Sequence, residues 1–196
     1  MLLPNVNERI ILGIDPGTAV MGYGLVKETG SKIELLSLGV VKMEHLDDHA
    51  LKLKRIFEKT VALIDEYKPD CMALEAPFYG KNIQVMLKLG RAQGVAMAAA
   101  LSRNIIICEY APRKIKQSIT GNGNATKEQV AAMLQTLLKF TETPQFLDAT
   151  DGLAVAVCHS FQKISVKSAS SIGGGAKKAH SGWGAFVKDN ADRVKK

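Results

Sequence analysis

Histidine and cysteine, which build most zinc, haem and thiol sites, are scarce in this 196-residue chain: four His and three Cys. Cys71, Cys108 and Cys158 stand singly in apolar surroundings with no paired spacing, which excludes a disulfide framework and a zinc module and leaves reduced core thiols. His45 and His49 are four apart in "HLDDH", but no further ligand lies nearby, so they are read as the solvated start of a helix. No apolar stretch approaches membrane-spanning length, so no membrane partner is expected. The opening "MLLPNVNER" lacks a basic region followed by a long apolar one, so no secretory leader is expected and the location is expected to be cytoplasmic. Internal repeats are absent. "GTAVMGYG" is rich in glycine yet is no phosphate cradle of the strand-loop-helix type, because strand residues follow it.

What is present suits one well-buried domain and a tail: 46% hydrophobic residues and a formal net charge of +7. The charge is unevenly placed. Residues 163–196 carry eight Lys/Arg against two Asp/Glu in a Ser-, Gly-, Ala- and Lys-rich segment, which reads as a basic flexible C-terminal tail, with Trp183 and Phe186 as its aromatics. Residues 1–162 form the expected folded domain. Within it, residues 81–127 hold Lys81, Lys88, Arg91, Arg103, Arg113, Lys114, Lys116 and Lys127 against Glu109 alone, while 1–80 and 128–162 are each −3. A basic middle between acidic ends suits a protein that holds a polyanion with one surface and a cation with another.

Periodicity gives the order of elements. Residues 9–15, 20–28 and 32–42 read as strands, the last two joined by "ETGSK", so the chain opens with an antiparallel meander. Residues 47–67 read as a helix with Leu51, Ile56, Val61, Leu63 and Ile64 mostly on one face behind acidic first-turn residues. "PDCMALE" and "NIIICEY" read as strands, and 83–102, 112–119, 126–139 and 148–162 as helices. Strands alternating with helices after a meander imply parallel strands added to its edge. In the second helix Gly90, Gly94 and Ala98 form a small-residue stripe, open either to its own sheet or to a second copy of the helix.

In "ILGIDPG" an aspartate ends an apolar run. Burying an ionised carboxylate costs several kcal/mol unless something offsets it, although Asp before Pro-Gly is also a common turn opener. The same pattern recurs in "CMALEAPF", where Glu75 ends the run, and in "LDATDGLAVAVCHSF" Asp148 and Asp151 open an apolar helix three residues apart, on one face of its first turn. Asp at a helix start is often no more than a cap. Together, however, two adjacent strand ends and one helix start would gather four carboxylates that repel one another unless divalent cations lie between them. Oxygen ligands without a His or Cys cluster point to Mg²⁺ or Mn²⁺. His159, eight residues past Asp151, is read as packing, with support of the acidic site as the alternative.

With "ILGIDPGTAVMGYGLV", "ALEAPFYGKNIQVMLKLGRAQGVAMAAA", "EYAPRKIKQSITGNGNATKEQV" and "LDATDGLAVAVCHSF" in this order, residues 9–162 resemble the RuvC family of crossover-junction endodeoxyribonucleases, which resolve Holliday junctions. The resemblance implies an α/β, ribonuclease-H-like fold, a five-stranded mixed sheet flanked by helices, with a two-metal carboxylate site. It implies Asp15, Glu75, Asp148 and Asp151 as metal ligands for two Mg²⁺, Mn²⁺ being a plausible substitute. It makes Phe78 an aromatic that wedges into the junction, and Lys116 and Lys127 basic residues near the scissile phosphates. Tyr79, Lys81, Arg91 and Arg113 complete the expected DNA-binding set. Four-way junction DNA is the implied substrate, a homodimer the implied assembly, and RuvA and RuvB the implied branch-migration partners.

Two other functions compete. Asp-Pro-Gly-Thr after a buried strand also opens the phosphate hairpin of actin-like ATPases and sugar kinases, but these clamp nucleotide between two such domains and this chain has room for one. A protein that grips branched DNA without cutting it would lose affinity by setting four acids beside the backbone.

Overall fold

The β-branched run ahead of Asp15 forms the middle strand of a sheet. The computed structural model describes residues 8–77, 82–140 and 147–162. In chain order these form β1 (Glu8–Asp15), β2 (Val20–Thr29), β3 (Lys32–Lys42), α1 (His49–Tyr67), β4 (Cys71–Glu75), α2 (Ile83–Leu101), β5 (Ile106–Tyr110), α3 (Pro112–Thr120), α4 (Lys127–Leu138) and α5 (Leu147–Phe161). The strand order is β3-β2-β1-β4-β5. β1, β2 and β3 pair antiparallel, and β4 and β5 add in parallel beside β1, as the meander followed by alternating elements requires.

Local chemistry sets the element ends. Gly30 takes φ +63° in the β2–β3 turn. Asp48 caps α1 by accepting from the Ala50 N–H at 2.8 Å, Asn82 caps α2, and Thr126 with Gln129 forms a reciprocal capping box on α4. The acids expected in the first turn of α1 therefore lie ahead of it, with Asp48 as its cap.

Alternation across the strands divides the core in two. Leu12, Ile14, Met72 and Leu74 face α1 and α2, meeting Ile56, Leu63, Ala92, Ala96 and Ala100. Ile11, Cys71 and Ala73 face α3, α4 and α5. α5 is buried almost all round, from Ala149 to His159, because the sheet covers one side and α3 and α4 the other. The structure departs from sequence expectation on three helical or core positions. Leu51 is 49% exposed and Thr60 takes a place in the buried face of α1; Thr60 satisfies its hydroxyl on the Ile56 carbonyl at 2.8 Å. Cys108 is half-buried, whereas Cys71 and Cys158 are in the core. Gly90, Gly94 and Ala98 are exposed, and α2 packs on the sheet through Ala92, Gln93, Ala96, Ala99 and Ala100, so the small-residue stripe does not serve its own sheet.

Candidate active site

Asp15 and Glu75 come together because of strand register. Ile14 pairs with Leu74 across the parallel β1–β4 ladder, so the next residue of each strand places Asp15 and Glu75 side by side at the carboxyl ends of adjacent strands. Both continue the alternate positions Ile11, Gly13 and Cys71, Ala73, and so lie on the face that α5 covers. In the antiparallel direction Asp15 pairs with Gly22. That glycine admits the helix: a Cβ on Gly22 would fall inside the contact radius of the Asp148 carbonyl oxygen, and a Cβ on Gly152 would meet the backbone of Gly22 and Tyr23 at 2.6 Å. Side-chain-free backbone on both partners lets the first turn of α5 lie directly on β2, and this brings Asp148 and Asp151 to Asp15. These glycines are the functional residues that sequence reasoning missed. Their signal was present in "GTAVMGYG", a glycine-rich strand facing a helix that itself carries a glycine.

The four acids influence one another. Burial pushes the Asp15 carboxyl up to about 6, with Asp151 and Asp148 adding to the rise and Lys127 opposing it. Burial likewise raises Glu75 to about 7, helped by Asp15 and Asp151 and opposed by Lys127 and Lys116. Asp151 is also raised, by burial, against the hydrogen bond it receives from Lys127. Lys127 Nζ donates to Asp151 Oδ2 at 2.5 Å and reaches Asp148 Oδ1 at 3.4 Å. Among the described residues no three His, Cys, Asp or Glu are already closed around a common point. The donor set is nonetheless all carboxylate oxygen and crowded with like charge, which fits a hard divalent cation and not a soft one.

The acids stand on the divide between two hollows. One, about 610 Å³, is walled by Val20, Pro77, Val85, Met86 and Leu89 and bounded by Asp15, Glu75 and Asp148. The other, about 350 Å³, brings Lys116 and Lys127 against Asp15, Glu75 and Asp151. Arg91 and Arg113 are exposed on α2 and α3 and line neither hollow. Phe78, Tyr79, Lys81 and the tail 163–196 with Trp183 and Phe186 lie outside the described residues.

A model of the family described as crossover junction endodeoxyribonuclease RuvC matches residues 11–159. A crossover junction endodeoxyribonuclease RuvC of Cytophaga hutchinsonii is 57% identical over 192 residues, 98% of this chain and 91% of the relative. The chain belongs to the RuvC family. Another member, from Porphyromonas gingivalis, is 56% identical over 96% of this chain and 98% of its own length. Among solved structures, T. thermophilus RuvC in complex with a Holliday junction substrate superposes with a TM-score of 0.73 at 31% identity, covering 78% of this chain and 93% of that one. The yeast mitochondrial Holliday junction resolvase Ydc2, at TM-score 0.53 and 14% identity, shares the fold. The ribonuclease-H-like architecture expected from sequence is therefore the one present, and membership carries with it a divalent-metal-dependent nuclease.

His159 lies away from this site. Its Nδ1 is 2.7 Å from the Tyr110 hydroxyl and its Nε2 is 3.2 Å from Cys71 Sγ, while next to it Ser160 donates to Glu28, which also binds Arg9. It anchors the far end of α5 and touches none of the four acids. Burial holds it neutral, with its pKa down to about 4. A base whose folded pKa lies below its unfolded value binds protons more readily when unfolded, so its contribution to stability is present above about 6.5 and is lost as pH falls toward 4. The stability gap between the parent and His159→Gln should therefore narrow between about pH 7 and about pH 4.5; denaturant titrations at the two pH values measure it. A gap that stays constant or widens contradicts a neutral, buried His159.

Proposed function

We propose that the chain resolves Holliday junctions, the four-way DNA intermediates of homologous recombination and DNA repair, by cutting two strands of like polarity at symmetric positions. Asp15, Glu75, Asp148 and Asp151 would hold two Mg²⁺, with Mn²⁺ able to substitute. The observation that carries this is the convergence of four carboxylates, from β1, β4 and α5, beside a hollow lined by Lys116 and Lys127. Asp15 stands between Glu75 on one side and the α5 acids on the other, so it would be the best placed of the four to serve both ions. When bound, such a pair of cations activates a water on one side of the phosphodiester and stabilises the leaving 3′-oxygen on the other. The protein's own task is to hold these oxygens rigidly, which the α5–β2 glycine contact does, and to steer the phosphates with Lys116 and Lys127. No side-chain nucleophile is needed. Phe78, three residues past Glu75, would stack on a base where strands exchange, with Tyr79, Lys81, Arg91 and Arg113 holding flanking backbone.

Two-fold symmetric cutting calls for a homodimer. The exposed stripe of Gly90, Gly94 and Ala98, flanked on α2 by exposed Ile83, Val85 and Leu87, is a surface where a second helix could approach closely. RuvA and RuvB are the partners that family membership suggests, and the cytoplasm is the compartment where the DNA lies. Among the described residues no helix is long and apolar enough to cross a membrane.

Labelled four-way junction DNA incubated with the protein and Mg²⁺, then resolved on a denaturing gel, tests the proposal. Paired symmetric nicks with 5′-phosphate and 3′-hydroxyl ends that ligase reseals are expected. Cleavage that persists in excess EDTA would overturn the metal assignment.

A further inference from the structure

The resemblance sets Lys127 near the scissile phosphates, and in the structure its side chain lies against the two acids of α5. Nζ lies 2.5 Å from Asp151 Oδ2 and 3.4 Å from Asp148 Oδ1, and among the described residues no other cation pairs with either acid. It is the first residue of α4, behind the Thr126–Gln129 capping box, so its backbone is fixed and it stands at the positive end of a helix dipole, where a lysine is disfavoured unless an anion answers it. The side chain is 51% exposed and borders the open hollow that Lys116 also lines. It can therefore swing outward by rotating its four-carbon stem, with no shift of α4.

We propose that Lys127 is the built-in counter-ion of Asp148 and Asp151, that a divalent cation must displace it to take those oxygens, and that the released ammonium then grips the DNA phosphate beside the cut. This rests on the four acids being metal ligands. An ammonium 2.5 Å from Asp151 Oδ2 would compete with a coordinated cation for that oxygen and repel it as a like charge. One positive charge is exchanged for two, which favours the cation among crowded carboxylates. The exchange links metal loading to grip on substrate: without metal the ammonium neutralises the acids, and with metal it is free for phosphate.

The test uses the full-length protein, Mn²⁺ as probe and no DNA. Acetylation of lysines, followed by mass spectrometry, should show Lys127 labelling rise about tenfold when Mn²⁺ saturates the site, because acetylation takes the neutral amine, and a lysine held by two carboxylates is kept protonated and shielded from the reagent while a released one is neither. Lys116, which makes no ion pair with the acids, and Lys88 on α2 should change by less than about twofold. Calorimetry should show Lys127→Met binding Mn²⁺ about tenfold more tightly than the parent, and Lys116→Met gaining less than about threefold. Unchanged or slower Lys127 labelling, with Mn²⁺ shown by calorimetry to be bound, overturns the proposal; so does an equal gain in both variants. If Lys127→Met fails to fold, labelling of the parent decides alone. Absence of Mn²⁺ binding to the parent removes the metal-site assignment itself and this proposal with it.

Discussion

Asp15→Asn should abolish junction cleavage while leaving the fold and DNA binding intact. The substitution preserves size and hydrogen bonding but removes the charge shared between Glu75 on β4 and the α5 acids. If Asp15 did no more than open the Pro16–Gly17 turn, Asn would serve nearly as well. If it is a ligand common to two cations it cannot be replaced, so activity should fall by several orders of magnitude, and at about 1.4 kcal/mol per factor of ten the loss is far beyond that of a turn residue. Stability should move the other way. Burial and the neighbouring acids raise Asp15 to about 6, so its charged form costs the metal-free fold stability above the unfolded value of about 3.8, and fully so above about 6. The metal-free variant should therefore unfold at higher denaturant than the parent at pH 8. Gel assays, gel-shift titration with junction DNA and denaturant melts measure the three effects; cleavage within about tenfold of the parent would make Asp15 structural.

Gly22→Ala should do comparable damage from a residue with no functional group. Its Cβ would strike the Asp148 carbonyl oxygen, with the Asp148 carbonyl carbon and the Gly152 nitrogen close behind. Backbone cannot yield as a flexible side chain does, so the first turn of α5 must lift from β2. Overpacking of this kind costs about 1–3 kcal/mol. The larger effect is on chemistry: lifting α5 carries Asp148 and Asp151 away from Asp15, and a displacement of about 1 Å in a catalytic group costs about a hundredfold in rate. Steady-state cleavage rates with a matched thermal melt separate the two losses. Gly30→Ala is the control: its added Cβ would meet nothing within 4 Å, though φ +63° carries a local cost, and it lies in the far turn of the meander. It should lose some stability and keep its cleavage rate.

The sheet was legible because each strand carries its own signal. "IILGI" and "CMAL" are apolar runs ended by Asp-Pro and Glu-Ala-Pro, and the meander is marked by Gly30 at its turn. Those same interruptions pointed to the acids, since a carboxylate that ends a buried strand needs a reason. What was not legible depends on distances across the fold. The Lys127 bridge spans 21 and 24 residues, and no local pattern distinguishes a lysine turned toward acids from one turned toward DNA. Periodicity gave α1 its face but not the width of that face, so Leu51 fell outside it and Thr60 within. On α2, alanine is already small enough for close packing on the sheet, which left the glycine stripe facing outward, a choice that composition alone cannot make. Gly22 sat in a glycine-rich run with no role assigned to it, and Gly13 and Gly152 carried no signal of their own; all three take their meaning from the close approach of α5 to β1 and β2.

The role proposed for the four carboxylates is metal ligation. Anomalous diffraction from crystals grown with Mn²⁺ tests it most directly. Peaks within coordination distance of Asp15, Glu75, Asp148 and Asp151 oxygens, at about 2.0–2.4 Å, are expected, with Asp15 touching both ions where two are present. Manganese bound elsewhere while these four side chains remain free of it, at a concentration that supports junction cleavage, would contradict the account.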